Sequence, residues 1–124
     1  MKHEEITNQI ICSFYNVYNK LGYGFLEKVY ENALFIELAL TGLAVQQQAA
    51  IVVNYAQQMV GEYFADLLVE EKVIVEIKAT RVLNGTHEAQ LLNYLKATDV
   101  EVGLLLNFGP KAEVKRSVFD NCMK

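Results

Sequence analysis

Three charged side chains lie within two predicted β-strands, where charged residues are uncommon. Asp66 stands in the apolar run Tyr63 to Val69, and Glu76 and Lys78 stand in the run Val73 to Ala79. Asp and Glu are depleted in strands, and a carboxylate without a partner is costly to bury. Glu76 and Lys78 are two residues apart, so their side chains point to the same face of the sheet. These three residues are therefore the first candidates for chemistry.

The register of the hairpin decides whether Asp66 and Glu76 meet. If Val69 opposes Val73 across a three-residue loop, the two acids are cross-strand neighbours with Cβ atoms roughly 5 Å apart. A two-residue loop would place them on opposite faces. Two adjacent carboxylates repel and need a cation, a shared proton or Lys78 nearby, and Mg²⁺ favours carboxylate oxygens. The alternative is a structural ion pair between Glu76 and Lys78, with Asp66 facing solvent.

Two predicted helices carry further polar residues in regular spacing. Glu27 stands in the first turn of the second helix, where a negative charge alone stabilises the helix by about 0.3–1 kcal/mol. Tyr30 lies three residues further along the same face. On the third helix, spacings of three and four place His87, Gln90 and Tyr94 on one stripe. A mixed polar and apolar boundary face explains that stripe equally well, and His87 alone indicates a surface residue.

The elements that must position these residues follow from hydrophobic periodicity. The pattern predicts helices over Glu4–Leu21 and about Phe25–Leu40, then strands, then a helix from about Thr86 to Thr98 with Thr86 as its N-cap. The predicted strands are Val45–Tyr55, Glu62–Val69, Val73–Ala79 and Val102–Phe108, with a polar turn over Gln57–Gly61. The segment Glu113–Phe119 fits either an edge strand or a helical turn.

The resulting order is α-α-β-β-β-α-β. A helix between the third and fourth strands makes them parallel, which predicts an α/β fold with a mixed sheet. The length of 124 residues fits a single domain over residues 1–124. No apolar run approaches the 20 or so residues that span a bilayer, and the charged N-terminus lacks a signal-peptide pattern, so we expect a cytoplasmic protein without membrane contact.

Composition excludes several classes of function. Two Cys and two His neither form a disulfide scaffold nor complete a four-ligand zinc site without carboxylates. Cys12 is expected to be a small core residue. The net charge of −4 argues against a surface that coats phosphates generally, although a nuclease site itself requires clustered carboxylates.

Three sequence motifs, in order, resemble those of a known nuclease superfamily. Gly24–Tyr30 resembles the GxxExxY signature of the small bacterial and archaeal GxxExxY family. Asp66 followed by Glu76-Ile77-Lys78 resembles the PD-(D/E)XK arrangement of restriction-endonuclease-like nucleases, with Ala65 in place of the proline. Gln90–Tyr94 resembles the QxxxY motif of related exonucleases. The resemblance extends from about Ile6 to Arg116, and it implies a restriction-endonuclease-like core that binds Mg²⁺ or Mn²⁺.

The resemblance also implies a role for each matching residue. Lys78 would orient or deprotonate the attacking water, Gln90 and Tyr94 would position water or phosphate, and Tyr30 and His87 would support the site. Arg81 follows the third strand closely, which places it near the substrate. The implied metal ligands are Asp66, Glu76, the carbonyl of Ile77, and Glu27.

The expected activity is metal-dependent hydrolysis of phosphodiester bonds, with DNA as the substrate. The alternative is a non-catalytic module that keeps the fold and serves nucleic-acid binding or protein assembly, which the acidic charge and small size favour. A homo-oligomer would enlarge the surface for DNA contact. Without the charges of Asp66, Glu76 and Glu27 the net charge becomes −1, so we expect weak nucleic-acid binding in the absence of divalent ions.

Overall fold

Three helices and five strands make up the computed structural model, which describes residues 1–124. The order is α-α-β-β-β-α-β followed by one more strand, so the segment left open between an edge strand and a helical turn is a strand. The elements are α1 (Glu4–Leu21), α2 (Glu27–Leu40), β1 (Val45–Tyr55), β2 (Gln58–Val69), β3 (Val73–Lys78), α3 (Gly85–Ala97), β4 (Val102–Phe108) and β5 (Ala112–Val118), with a short 3₁₀ turn at Asn121–Met123.

The five strands form one mixed sheet in the order β1-β2-β3-β4-β5. Only β3 and β4 are parallel, because α3 connects them as a crossover. Every residue of β4 is buried, as its uninterrupted apolar sequence predicts for a strand covered on both faces. The predicted α/β class with a mixed sheet is therefore confirmed.

The sheet separates two apolar layers. On one face, α1 and α2 pack side chains such as Phe14 and Leu34 against alternate residues of β3 and β4. On the other face, Leu91 and Leu95 of α3 pack on Ile74 and Leu105. Because side chains alternate along a strand, Glu76 and Lys78 share with Ile74 the face that α3 covers.

Three local predictions are wrong for identifiable reasons. The turn between β1 and β2 needs only Ala56 and Gln57, both with positive φ, so β2 begins at Gln58 instead of after Gly61. Asn84, not Thr86, is the N-cap of α3, because its side chain accepts backbone N–H groups there. Cys12 is exposed, since it lies on the face of α1 that turns away from the sheet. No helix has the length and apolar character needed to span a membrane.

Candidate active site

The carboxylates of Asp66 and Glu76 meet where β2 and β3 separate. Val69 pairs with Val73 across a three-residue loop, and the backbone pairing continues only to Leu67 and Val75. At the next position side chains replace the ladder: the Asp66 N–H donates to Glu76 Oε2 over 2.8 Å, and the Ile77 N–H donates to Asp66 Oδ2 over 2.8 Å. The register that brings the two acids together is therefore the one present.

Burial makes both carboxylates hard to ionise. Glu76 is only 5% exposed, and this burial, followed by repulsion from Asp66, raises its pKa to about 8. Burial likewise raises the pKa of Asp66, and the Ile77 N–H opposes the rise only in part. The protein therefore supplies too little positive charge around the pair for both carboxyl groups to ionise readily, and Glu76 keeps its proton at neutral pH.

Lys78 lies beside this pair without forming an ion pair with it. Its charge lowers the pKa of both Asp66 and Glu76, so it is close enough to act on them. The ion pairs of the structure are Lys2 with Glu101 and Asp120, and Lys28 with Glu31. A structural Glu76–Lys78 salt bridge is therefore absent, and the half-buried ammonium of Lys78 keeps its three donors for other partners.

A third carboxylate, that of Glu31, joins the site through two glutamines. Glu31 is 4% exposed, and its oxygens accept Gln47 Nε2 at 2.9 Å, Gln48 Nε2 at 3.0 Å and Lys28 Nζ at 2.9 Å. Gln48 Nε2 also lies 3.5 Å from Asp66 Oδ1. The charge of Glu31 contributes to the raised pKa of Asp66, which shows that it belongs to the same electrostatic cluster.

Sequence reasoning missed Glu31, although two signals mark it. Glu31 shares the buried stripe of α2 with Leu34 and Leu38, where a charge requires partners. The amides that hold it follow one another in β1, where Gln48 has a positive φ and drops out of the ladder opposite Asp66. This local irregularity directs the side chain of Gln48 toward the carboxylates of Glu31 and Asp66.

Glu27, by contrast, is exposed in the first turn of α2 and has no hydrogen bond or ion pair with Asp66 or Glu76. Tyr30 is buried, and its hydroxyl donates to the Gly22 carbonyl at 2.7 Å and accepts the Phe25 N–H at 3.2 Å. Its ring stacks on Phe108 with centroids 4.3 Å apart. Tyr30 thus fixes the turn before α2, and through α2 it supports Glu31.

Gly24, within that same turn, has φ 115°, a backbone conformation that side chains rarely adopt. The glycine and the tyrosine of the motif therefore serve one local structure. The glycine permits the turn, and the tyrosine hydroxyl holds both of its ends.

The three predicted residues of α3 have different surroundings. Tyr94 is buried, and this burial, together with the charges of Glu76 and Asp66, raises its pKa to about 12. Gln90 is exposed one turn earlier. His87 Nδ1 accepts the Asn84 N–H at 3.4 Å in a capping box, so this side chain stabilises the start of the helix.

Arg81 lies exposed in the segment that joins β3 to α3, without an ion pair. Sequence reasoning also missed Asn107, which anchors this segment. The Asn107 amide is buried and pairs with both the N–H and the carbonyl of Thr80 at 2.9 Å. A Cβ atom at Gly109 would overlap the Thr80 carbonyl oxygen, so only glycine fits beside this contact. The backbone that follows Lys78 is therefore held on two sides.

The donor set suits a hard cation that keeps part of its hydration. No group of three or more His, Cys, Asp or Glu side chains is arranged to hold a metal ion, which leaves the Asp66–Glu76 pair as the acidic contribution. Mg²⁺ is commonly bound through one or two carboxylates and retains several waters. Such an ion would supply the positive charge that the pair needs for both carboxyl groups to ionise.

Comparisons with known proteins agree with this geometry. A family model described as the PD-(D/E)XK nuclease superfamily matches residues 4–117. The crystal structure of SSO0001 superposes with a TM-score of 0.61 at 19% identity, over 75% of this chain and 50% of that chain. The chain thus spans about half of that protein, and the likeness shows the fold alone. No functionally curated protein matches the sequence. The family model describes the superfamily as a whole, so the narrower resemblance to GxxExxY proteins stays a prediction.

Proposed function

Because the chain belongs to the PD-(D/E)XK nuclease superfamily, we propose that it is a metal-dependent nuclease that hydrolyses phosphodiester bonds in DNA. The proposal rests on one observation, the buried Asp66–Glu76 pair with Lys78 unpaired beside it. Fold membership alone does not establish activity. The site adds support for activity, because it holds a buried and a half-buried carboxylate next to a cation that has no ion-pair partner.

We propose that Asp66, Glu76 and the carbonyl of Ile77 hold Mg²⁺ or Mn²⁺. One oxygen of each carboxylate accepts a backbone N–H. The second oxygen of Glu76 has no hydrogen-bond partner, and that of Asp66 meets only Gln48 Nε2, at 3.5 Å. The N–H and the carbonyl of a strand residue point to the same side, and the Ile77 N–H meets Asp66. A divalent cation bound there supplies positive charge to the phosphate and makes water a better nucleophile.

The other residues act through hydrogen bonds and charge. Lys78 offers an ammonium group that orients the attacking water or stabilises the developing phosphorane charge. Tyr94 keeps its hydroxyl proton at neutral pH, since its pKa is about 12, and is available as a donor. Glu31 and Gln48 hold Asp66 in place. Gln90 and Arg81 are exposed near the site and are proposed to contact the substrate.

The proposal is tested by incubating the purified chain with single- and double-stranded DNA and RNA in Mg²⁺ or Mn²⁺. The variant is Lys78→Ala, and Lys72→Ala in the exposed loop between β2 and β3 is the matched control. Removal of one group that stabilises developing charge in a transition state costs roughly 10²–10³-fold in rate. We expect Lys78→Ala to lose activity on this scale. Equal cleavage by wild type and Lys78→Ala would contradict the proposal.

A non-catalytic module for nucleic-acid binding or protein assembly is the alternative, and the net charge of −4 together with the single small domain favours it. This alternative predicts that DNA is retarded in a gel without being cleaved. It also predicts that Glu76→Ala leaves the retardation unchanged, because the acidic pair would then have no role in contacting DNA.

The prediction of a homo-oligomer has one candidate surface, the outer stripe of α2. Its members are apolar, mostly exposed and at heptad spacing: Leu26, Val29, Ala33, Ile36 and Leu40. Read outward from the central Ala33, a β-branched residue and then a leucine follow in each direction. A two-fold contact pairs each residue of a patch with its counterpart, so this mirrored order favours antiparallel packing on a second copy.

A helix of 14 residues is about 21 Å long, so this contact is smaller than a standard interface and predicts a weak dimer. Sedimentation of wild type over a range of concentrations, with Ile36→Lys and the flanking control Ala39→Lys, measures it. Loss of the dimer in Ile36→Lys alone is expected, and a wild type that stays monomeric throughout would refute the contact.

A further inference from the structure

An open groove of about 760 Å³ lies between the β1–β2 hairpin and α3. Tyr94 lines the groove and also belongs to the acidic cluster, because the charges of Glu76 and Asp66 raise its pKa. The groove does not include Asp66 or Glu76 in its lining, but it adjoins the strands that carry them, because Tyr94 belongs to one apolar cluster with Ala65 of β2 and Ile74 of β3. Its polar and aromatic lining comes from Asn54, Tyr63, Gln90, Asn93, Tyr94 and Lys96.

Tyr63 provides an aromatic surface at the wall of this groove. Its side chain remains 49% exposed, and its ring lies 5.7 Å from that of Tyr94 at an angle of 40°. Tyr94 is buried in the core, whereas part of the Tyr63 ring is open to solvent. An exposed ring of this kind is a stacking surface for a nucleobase, since every base has a π-face.

Three side-chain amides surround the aromatic wall. Asn54, Gln90 and Asn93 line the groove, all three are exposed, and none of them forms a side-chain hydrogen bond within the protein. Each amide offers two donors and one acceptor oxygen. Asn and Gln form paired hydrogen bonds to base edges, so the free amides match the polar rim of an unpaired base.

The charge of the groove lining favours a single strand over a duplex as the bound nucleic acid. None of the twelve lining residues is acidic and one, Lys96, is cationic, in a chain with net charge −4. The groove is thus a neutral-to-positive path beside an acidic site. One cation serves one or two phosphates, whereas duplex binding usually neutralises many. Stacking and amide contacts require bases that are not already paired.

We propose that this groove is a nucleobase subsite that holds an unpaired base next to the phosphate to be cleaved. The inference rests on the proposed nuclease function and names its substrate class, single-stranded nucleic acid or an unpaired end or flap. Tyr63 stacks on the base, Gln90 and Asn93 bond its edge, and Lys96 contacts a flanking phosphate.

Binding, measured apart from cleavage, tests the subsite. A labelled short single-stranded oligonucleotide and a blunt duplex of the same sequence are titrated in Mg²⁺ against the full chain carrying Lys78→Ala. The added variants are Tyr63→Ala, Tyr63→Phe and Gln90→Ala, and Tyr55→Ala at the exposed hairpin end is the control. Base–aromatic stacking predicts roughly 10-fold or greater weakening by Tyr63→Ala. Tyr63→Phe should bind like its parent, because the ring is kept.

The outcomes separate the subsite from the nuclease. A duplex that binds as tightly as the single strand, or a Tyr63→Ala protein that binds as tightly as its parent, would overturn the subsite even if the wild type cleaves DNA. Conversely, Tyr63-dependent binding of single strands by a wild type that never cleaves would support the subsite and refute the nuclease. A loss in Tyr63→Ala that Tyr63→Phe does not share shows that the ring, and not the hydroxyl, is needed for binding.

Discussion

The substitution Glu76→Gln measures how much the folded chain is destabilised when Glu76 ionises. Burial and Asp66 raise the pKa of Glu76 from 4.5 to about 8, and one pKa unit corresponds to about 1.4 kcal/mol. Ionising Glu76 in the folded chain therefore costs about 5 kcal/mol more than ionising it in the unfolded chain. Glutamine keeps the size of the side chain and an oxygen to accept the Asp66 N–H, but it carries no charge.

The sign of the pH dependence follows from proton binding. Between pH 4.5 and about 8 the folded chain retains a proton that the unfolded chain releases, so the free energy of unfolding falls as the pH rises through this window. The stability is fully present below the unfolded pKa and is lost as the pH passes the folded pKa. Glu76→Gln removes this loss, so we expect the variant to be the more stable protein near pH 8.

Urea denaturation in buffers with a chelator, at steps across this pH window, measures the effect. Wild type should lose several kcal/mol, Glu76→Gln should lose clearly less, and the exposed control Glu62→Gln should follow wild type. Mg²⁺ should restore stability to wild type at the upper end of the window, because a bound cation compensates the ionised pair. Identical slopes for wild type and Glu76→Gln would refute the electrostatic reasoning.

Three further predictions concern the residues that hold the site in place. Tyr30→Phe should lower the free energy of unfolding by about 1–3 kcal/mol in urea, because it removes two part-buried hydrogen bonds to the backbone, each contributing about 0.5–1.5 kcal/mol. Asn107→Ala should cost at least as much by the same measurement, since it removes both contacts to a backbone segment. Asn84→Ala should lower the melting temperature, because losing the helix cap costs about 0.5–2 kcal/mol of stability. The control Thr86→Ala should leave the melting temperature nearly unchanged. A larger drop in Thr86→Ala than in Asn84→Ala would show that Thr86 is the cap.

The acidic pair was predictable from sequence because strand geometry has a period of two. Asp66, Glu76 and Lys78 interrupt apolar strands, and the length of the connecting loop then fixes which residues face each other. The parallel pairing of β3 and β4 was equally accessible, because a helix between two strands in one sheet nearly always makes a crossover connection.

The contribution of α2 was not predictable to the same degree. The motif drew attention to Glu27, yet Glu31, one turn later, makes the contacts with Gln47 and Gln48. Which turn of a helix faces a site depends on how the helix docks on the sheet, and here also on the irregular backbone of β1 at Gln48. Both are properties of tertiary packing, which helical periodicity does not encode.

The helical stripe of α3 likewise does not separate residues near the acidic pair from residues that stabilise the helix. His87 and Tyr94 occupy one stripe, but His87 caps the helix and Tyr94 lies by the acidic pair. The spacing places both on one face, and only their distance along the helix axis from β3 distinguishes their surroundings. The groove was not predictable from periodicity either, because it forms where the β1–β2 hairpin extends beyond β3 and faces α3.

Diffraction from crystals soaked in Mn²⁺, recorded at the manganese absorption edge, tests the central claim most directly. We expect an anomalous peak bound by carboxylate oxygens of both Asp66 and Glu76, and no peak there in crystals of Glu76→Gln treated identically. A soaked wild-type crystal with Mn²⁺ bound elsewhere and no peak between these two side chains would contradict it.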